Sequence, residues 1–394
     1  MKYEKLFSPI TLRGCTFSNR TMRTAMVTGL AAVDGFVTDD IKSRYHREAK
    51  GGVGAIVIEG TTIHPWKSPF SLRINDDMFI PGLSELIQAI REGNQNVKIG
   101  IQIMHWLKLA HTGWRQKVED LKAEEVSAIR EQFIEAAQRS LKAGFDFIEI
   151  HMAHCYTLGA FLSLTNKRND EYGGNLDNRM RLPIEVYQGV RRVAGDNYPL
   201  GLRMNGEDFL IEGNTLLQST RIARKFAELG IDYISVTAGD KFEDALPPPQ
   251  GELIDNTSGY SGHRMSPWWW APDGANVYLA EGIRESLREG GFDTPVVTAG
   301  KIRTPQLAER ILERGKADII GLCRPLLCDP DWPSKAQEGR ERDIVRCAAC
   351  NYCLEIDWKE GKPRCIRWPE GSLIAPEPFS PNMACPARLP KEAD

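Results

Sequence analysis

The chain has 394 residues, 42 % hydrophobic and 26 % charged, which is typical of a soluble protein with a large core. Its 50 lysines and arginines against 53 aspartates and glutamates give a net charge of −3, which argues against nucleic acid or an anionic membrane as a partner. We find no apolar run of ~18 residues and no signal-peptide core, and nine cysteines do not suggest a secreted disulfide framework. We therefore expect a cytoplasmic protein.

Short runs of β-branched residues alternate with amphipathic, charge-rich stretches along most of the chain. The runs predict eight strands, at Thr21–Thr28, Ala55–Ile63, Val97–Met104, Phe145–Met152, Tyr198–Asn205, Asp232–Gly239, Thr294–Ile302 and Ala317–Pro325. The stretches between them predict helices at Asp40–Gly51, Phe79–Gly93, Ala128–Gly144, Asp177–Gly195, Asn214–Gly230, Gly274–Gly291 and Thr304–Gly315. The helix N-caps are predicted at Asp177, Asn214 and Thr304.

Repeated strand–helix units imply a parallel sheet with helical crossovers, and eight strands close naturally into an α/β (β/α)8 TIM barrel. A doubly wound open sheet is the rival fold, but its glycine-rich dinucleotide fingerprint is missing. We predict a barrel over residues 1–340 and a Cys-rich extension over residues 341–394. The active site of such a barrel lies at the C-terminal ends of its strands. The long segment from Asp240 to Asp273 follows the sixth strand and is expected to cover that site.

Four cysteines of the extension stand at metal-ligand spacing, C-x2-C-x2-C-x11-C, at Cys347, Cys350, Cys353 and Cys365. Iron in cubic clusters prefers a tetrahedral sulfur environment, and a compact run of three cysteines with one distal partner can supply it. A four-cysteine zinc site more often has two separated C-x2-C pairs. The spacing favours a 4Fe-4S cluster over structural zinc or free thiols.

Two consecutive strand ends have the composition of a phosphate site. Gly300 and Lys301 end the seventh predicted strand, and Cys323 and Arg324 end the eighth. Barrels commonly bind phosphate at this position, through exposed backbone N–H groups and a cation. Glycine permits close approach, and the planar guanidinium of Arg324 can grip phosphate oxygens.

Other strand ends carry polar side chains that suit a flavin and its substrate. Gln102 and Arg203 match the polar edge of a flavin ring, although Arg203 could instead pair with a carboxylate. His151 and His154 can hydrogen-bond a carbonyl or carboxylate oxygen, and Tyr156 can pass a proton to an adjacent carbon. Zinc binding by the two histidines lacks a third ligand, while burial as ordinary core histidines remains an alternative.

Several motifs in order resemble the Old Yellow Enzyme family of flavin oxidoreductases. The resemblance covers roughly residues 4–340 and rests on Leu6–Ile10, Lys50–Gly54, Glu59–Thr61, Phe161–Gly174, Asn178–Arg181 and Gly321–Pro325. With the four cysteines, the chain is similar to the iron–sulfur branch that contains 2,4-dienoyl-CoA reductase and trimethylamine dehydrogenase. Members of that branch bind FMN at the barrel mouth and a 4Fe-4S cluster beside it.

The resemblance implies FMN contacts at Gln102, Arg203, Gly300 and Arg324, with backbone contacts near Ala25 and Gly60. Val27 departs from the family pattern, because relatives place Thr or Cys there and valine offers the flavin no hydrogen bond. Larger members continue into dinucleotide-binding domains, and we expect none here. We therefore expect electrons to be exchanged with a separate protein or with NAD(P)H, and we expect a homo-oligomer.

The sequence predicts an FMN- and 4Fe-4S-dependent oxidoreductase that reduces an activated C=C bond of a small molecule, with Tyr156 as proton donor. The alternative is oxidation of an N-methylated amine or betaine, for which aromatic walls at Trp268–Trp270 and Trp358 could enclose an ammonium group. Those tryptophans could equally pack a lid or an interface. A third reading is a zinc-binding protein on an inactive barrel.

Overall fold

Eight parallel strands close into a barrel in the computed structural model, which describes residues 2–66, 70–107, 117–240 and 259–386. Their order follows the chain, and the last strand pairs with the first. The barrel strands are β3 (Thr21–Arg23), β4 (Ala55–Thr62), β5 (Lys98–Met104), β6 (Phe147–Met152), β7 (Leu200–Asn205), β8 (Tyr233–Thr237), β9 (Val296–Thr298) and β10 (Ile319–Leu322). The predicted (β/α)8 barrel is confirmed.

A hairpin of two short antiparallel strands, β1 (Ile10–Leu12) and β2 (Cys15–Phe17), packs against the N-terminal ends of the barrel strands. Phe17 contacts Phe147 at the start of β6, with ring centroids 5.4 Å apart. Tyr233, at the start of β8, belongs to the same buried cluster. These side chains fill the N-terminal end of the barrel, so the opposite end is the one available for a ligand.

Helices surround the barrel and bury an apolar face against the outward side chains of the strands. The main helices are α1 (Asp39–Lys50), α2 (Ile80–Gly93), α3 (Ala123–Ala143), α4 (Thr157–Leu162), α5 (Leu176–Ala194), α6 (Leu216–Glu228), α7 (Gly259–Met265), α8 (Val277–Glu289) and α9 (Pro305–Glu313). Short helices follow at α10 (Arg324–Cys328), α11 (Trp332–Gln337) and α12 (Tyr352–Trp358). Within the described ranges no helix is long and apolar enough to cross a membrane.

Two of the three predicted N-caps are wrong. Thr304 caps α9 as expected, since its hydroxyl accepts a hydrogen bond from the backbone N–H of Leu307. Helix α5 is capped by Asn175 rather than Asp177, and α6 by Thr215 rather than Asn214. Asn214 is buried, and its side chain bonds instead to the carbonyl of Leu162 and to Arg179.

The C-terminal extension forms a small core of its own against the barrel. Its members are Leu327, Cys328, Val345, Trp368, Ala375 and Phe379. Arg44 of α1 fastens the extension, because its guanidinium lies 4.8 Å from the Trp368 ring centroid and donates to the backbone carbonyl of Leu373. The division at residues 340 and 341 stays a prediction, since Leu327 and Cys328 precede it in the chain and yet belong to this core.

Candidate active site

A cleft opens at the C-terminal ends of the barrel strands, with about 1350 Å³ of empty space including its open mouth. Ligand sites of (β/α)8 barrels lie at this end of the strands. Twelve side chains or glycines predicted for catalysis or cofactor binding line the cleft: Ala25, Val27, Gly60, Gln102, His151, His154, Tyr156, Arg203, Gly300, Lys301, Cys323 and Arg324. The folding of the chain therefore brings this predicted set together around one space, although their individual roles stay predictions.

Glu149, a fully buried residue of β6, binds side chains beneath the cleft. The Gln102 amide donates to one carboxylate oxygen at 2.6 Å, and the Tyr233 hydroxyl donates to the other at 3.1 Å. Burial raises the pKa of the Glu149 carboxyl, and the charge of Arg203 opposes that rise. Arg203 also donates to the Ser235 hydroxyl at 3.0 Å. Glu149 thus fixes which way the Gln102 amide faces, a positioning role that sequence patterns did not identify.

A left-handed turn follows β6 and carries the candidate catalytic residues. His154 and Cys155 have φ values of 58° and 54°, a conformation that costs side-chain-bearing residues ~1–2 kcal/mol each. The turn places the His151 and Tyr156 rings edge to face, with centroids 4.9 Å apart, and the His151 and His154 rings 5.6 Å apart. Three ionisable or polar rings therefore meet at one wall of the cleft.

Hydrogen bonds assign the histidine tautomers. The backbone N–H of Ala153 donates to Nδ1 of His151 at 3.2 Å, so the neutral ring carries its proton on Nε2. Nδ1 of His154 must donate to the Gly239 carbonyl at 2.8 Å, and its Nε2 lies 3.2 Å from the Thr237 hydroxyl. We expected both rings to donate to a substrate oxygen. The geometry assigns an Nε2–H to neutral His151, whereas His154 has one only as an imidazolium.

The phosphate end of the cleft fits the predicted group. Gly300 has φ 117°, and a Cβ built there would lie 3.0 Å from the Asn276 side chain. The buried Thr298 hydroxyl at the end of β9 has no hydrogen-bond partner in the part of the chain that is described. The Gly300 backbone lines the cleft, so a phosphate could approach it closely.

Arg324 and Lys301, the two cations at this end of the cleft, have different hydrogen-bond partners. Nη1 of Arg324 donates to the Pro267 carbonyl at 2.9 Å, while Nε and Nη2 have no protein acceptor among the described residues and can face a phosphate. Lys301 instead donates to the backbone carbonyls of Trp269, at 2.7 Å, and Ala271. Burial lowers the pKa of the Lys301 ammonium. Lys301 therefore anchors the backbone at Trp269 and Ala271 rather than directing its charge into the cleft.

Four cysteines predicted as cluster ligands lie beside this cleft, and Cys347 and Cys353 line it. All four are free thiols. Backbone N–H groups donate to the sulfurs of Cys347 and Cys365, each at 3.4 Å. Burial raises the pKa of Cys347 to about 11, so its proton would have to leave when a metal binds. The donor set suits an iron–sulfur cluster chemically, yet among the described residues no three His, Cys, Asp or Glu side chains are arranged as metal ligands.

Three tryptophans, Trp268 to Trp270, pack against one another rather than lining the cleft. The Trp268 and Trp270 rings stack at 5.2 Å, and His263 stacks on the other side of Trp270 at 5.4 Å. This packing supports the lid interpretation over an ammonium-binding wall. The side chain of Trp358 and residues 241–258 lie outside the described part of the chain, so the predictions made for them remain open.

Comparisons with known proteins show which family the chain is similar to. A model of the NADH:flavin oxidoreductase / NADH oxidase family matches residues 5–343. NADH oxidase of Thermoanaerobacter brockii is 32 % identical over 370 residues, which cover 89 % of this chain and 53 % of that protein. The structure of 2-naphthoyl-CoA reductase with 2-naphthoyl-CoA has a TM-score of 0.81 at 26 % identity, covering 92 % of this chain and 57 % of that one. Histamine dehydrogenase from Rhizobium sp. 4-9 has a TM-score of 0.76 at 27 % identity, covering 94 % and 53 %.

The closed parallel barrel carries its cleft at the C-terminal ends of the strands, the position at which (β/α)8 barrels bind their ligands. The chain belongs to the NADH:flavin oxidoreductase / NADH oxidase family. The resemblance to Old Yellow Enzyme is thereby confirmed. The chain spans about half the length of the curated relative and of the two solved proteins described above.

Proposed function

We propose that the chain reduces an activated C=C bond, such as that of an enone, an enoate or an enoyl thioester, with FMN and a 4Fe-4S cluster as cofactors. The observation that carries this proposal is the pairing of an oriented N–H donor, His151 Nε2, with the Tyr156 phenol at one wall of the cleft. The likeness to 2-naphthoyl-CoA reductase supports the same substrate class.

When bound, FMN would supply a hydride to the β-carbon of such a substrate. His151 would donate a hydrogen bond to the carbonyl oxygen, which stabilises the negative charge that develops there as the C=C bond is reduced. Tyr156 would then give its proton to the α-carbon, so that one hydride and one proton complete the reduction. Gln102 and Arg203, steadied by Glu149 and Ser235, would orient the polar edge of the flavin.

Cys347, Cys350, Cys353 and Cys365 would hold the cluster beside the phosphate end of the cleft. Such a cluster exchanges single electrons, whereas the flavin can also exchange them in pairs. We propose NAD(P)H or a separate carrier protein as the electron donor. The family name and the NADH oxidase relative favour the nicotinamide.

Oxidation of an N-methylated amine or betaine is the second candidate function. Asp357 also lines the cleft, and a carboxylate near its mouth can bind an ammonium group. The likeness to histamine dehydrogenase supports this reading. In that reaction the electrons would leave through the cluster to a carrier protein.

A pair of anaerobic half-reactions tests which candidate is right. Chemically reduced enzyme is mixed with enones, enoates and enoyl thioesters, and oxidised enzyme with methylated amines, while the flavin absorbance is followed. We expect alkenes to reoxidise the reduced flavin and amines to leave the oxidised flavin unchanged. Bleaching by an amine with no reoxidation by any alkene would overturn the leading proposal in favour of the second.

A further inference from the structure

A buried asparagine joins the phosphate end of the cleft to the cysteine-rich loop. Asn351 stands between Cys350 and Cys353 and is 3 % exposed. Its Oδ1 accepts hydrogen bonds from Nη1 of Arg324 and from the Ser266 hydroxyl, the latter at 3.2 Å. Its Nδ2 donates to the Ser266 backbone carbonyl at 2.7 Å. The Asn351 side chain therefore joins the cysteine-rich loop in which it lies to Arg324 and to Ser266.

The backbone of Asn351 suits this position. Its φ of 54° and ψ of 14° are left-handed, a conformation in which asparagine is enriched among residues other than glycine. The left-handed residue sits directly before helix α12 and turns the chain between two of the predicted cluster ligands. The conformation of this loop and the position of the Asn351 amide are therefore set together.

Arg324 is the residue through which Asn351 can influence a ligand in the cleft. Its Nη1 is occupied by Asn351 and by the Pro267 carbonyl, so its remaining fork can face the cleft with the guanidinium plane already fixed. Pre-orientation lowers the entropy lost when a phosphate binds. If the cysteine loop loses its order, Arg324 loses one of the two acceptors that orient it.

A second arginine, Arg303, also joins the cysteine-rich loop to the cleft. Nη1 of Arg303, which also lines the cleft, donates to the Cys347 carbonyl at 3.0 Å. Nε of Arg303 is held by Asp273 at 2.8 Å. The cysteine loop is thus bonded to two arginines of the cleft.

We propose that Asn351 couples the two cofactor sites, so that an ordered cluster loop tightens FMN binding through Arg324 and bound FMN stabilises the cluster loop in return. This inference rests on the proposed function, because it assumes that both cofactors bind. Thermodynamic linkage requires the coupling to be equal in both directions. Asn351 acts here as a positioning residue.

The test compares FMN affinity with and without the cluster. Protein purified anaerobically is stripped of flavin, one portion is also freed of iron by chelation, and both are titrated with FMN while flavin fluorescence is measured. Asn351→Gly removes the side chain and keeps the left-handed backbone free of strain. Glu360→Gly is the matched control, since Glu360 is exposed, lies in the same extension and has φ 55°.

We expect the wild type and Glu360→Gly to bind FMN at least about five-fold more tightly when the cluster is present, the low end of typical couplings. In Asn351→Gly this ratio should fall to about one, mainly through weaker binding to the iron-containing form. If Asn351→Gly retains no iron, Ser266→Ala, which removes one of the two hydrogen bonds that the Asn351 Oδ1 accepts, replaces it in the same comparison, with a smaller fall in the ratio expected.

The outcomes separate this inference from the proposed function. Wild-type protein that carries iron but binds FMN equally well without it overturns the coupling alone. An undiminished ratio in the Asn351 or Ser266 variant does the same. Wild-type protein that purifies with flavin and no iron overturns both the cluster and the coupling.

Discussion

Tyr156 owes its position to two residues in an unfavourable backbone conformation. His154 and Cys155 precede it with positive φ values, and the Tyr156 ring packs edge to face on His151 and Trp106. Unfavourable turns persist only where surrounding contacts hold them, here the bond from His154 to Gly239 and the proximity of Thr237. Such turns cluster at functional sites.

The phenol should be required for protonation and not for flavin reduction. Tyr156→Phe keeps the ring and removes the proton donor, so alkene reduction should fall ~10²–10⁴-fold while the reductive half-reaction is unchanged. Tyr3→Phe serves as control, because that hydroxyl bonds to Glu341 and does not line the cleft. Stopped-flow traces of both half-reactions make the measurement. Equal alkene turnover by wild type and Tyr156→Phe would remove Tyr156 from the mechanism.

The sequence identified cleft residues well where they end a strand, because parallel strands of a barrel all direct their C-terminal ends to one face. Gln102, Arg203 and Arg324 were found in this way. Thr237 and Asn351 were not, since their importance depends on which side chains lie opposite them in space. The histidine tautomers were likewise beyond sequence, because the carbonyl of Gly239 fixes one of them across two strands.

Helix starts illustrate the limit of local patterns at the scale of elements. The predicted caps Asp177 and Asn214 are suitable residue types, but each has a neighbour within two positions that does the capping. Asn214 was lost to a tertiary contact with Arg179 that no local rule contains. Thr304, which has no such competitor in its contacts, was predicted correctly.

Helix α5 offers a direct check of this correction. Asn175→Ala removes the side chain that accepts from the Asn178 N–H at 2.9 Å, and should destabilise the protein by about 1 kcal/mol. Asp177→Ala removes only a favourable charge in the first turn and should cost about 0.3–1 kcal/mol. Chemical denaturation of both variants compares them. A larger loss for Asp177→Ala would restore the original prediction.

The ends of β4 and β5 carry buried histidines that should make stability depend on pH. Burial is the main cause that lowers the pKa of His64 to about 4, with the Trp66 carbonyl opposing the shift and the charge of nearby Arg73 adding to it. A histidine with a lowered pKa is neutral in the fold, so the unfolded chain takes up the proton first as pH falls. Its contribution to stability is therefore full above about pH 6.5 and is lost as the pH falls toward about 4.

The loss attributable to His64 should be about 2 kcal/mol at pH 5. His64→Phe retains the stacking on Trp66, at 4.2 Å in the wild type, and removes the titrating group. The free energy of unfolding should then fall less between neutral pH and pH ~5 in the variant than in the wild type. Identical decreases in the two proteins would show that His64 does not titrate on unfolding.

For the molecule as a whole, the barrel was predictable because eight predicted strands alternate with seven predicted helices. The attachment of the extension was not. It depends on buried contacts between residues distant in sequence, such as the Arg44 guanidinium on the Trp368 ring and the Lys335 ammonium with the Phe379 carbonyl at 2.6 Å. Cysteine spacing indicated the chemistry of the extension without indicating that Cys347 and Cys353 would line the flavin cleft.

The proposed function requires FMN and a 4Fe-4S cluster in one molecule. Anaerobic purification followed by quantification of flavin, iron and acid-labile sulfide tests this directly. We expect one FMN with about four iron and four sulfide per chain, and a visible spectrum that contains both chromophores. Flavin without iron would contradict the proposed cluster, and zinc in place of iron would favour a structural metal site. Colourless protein would contradict both proposed cofactors.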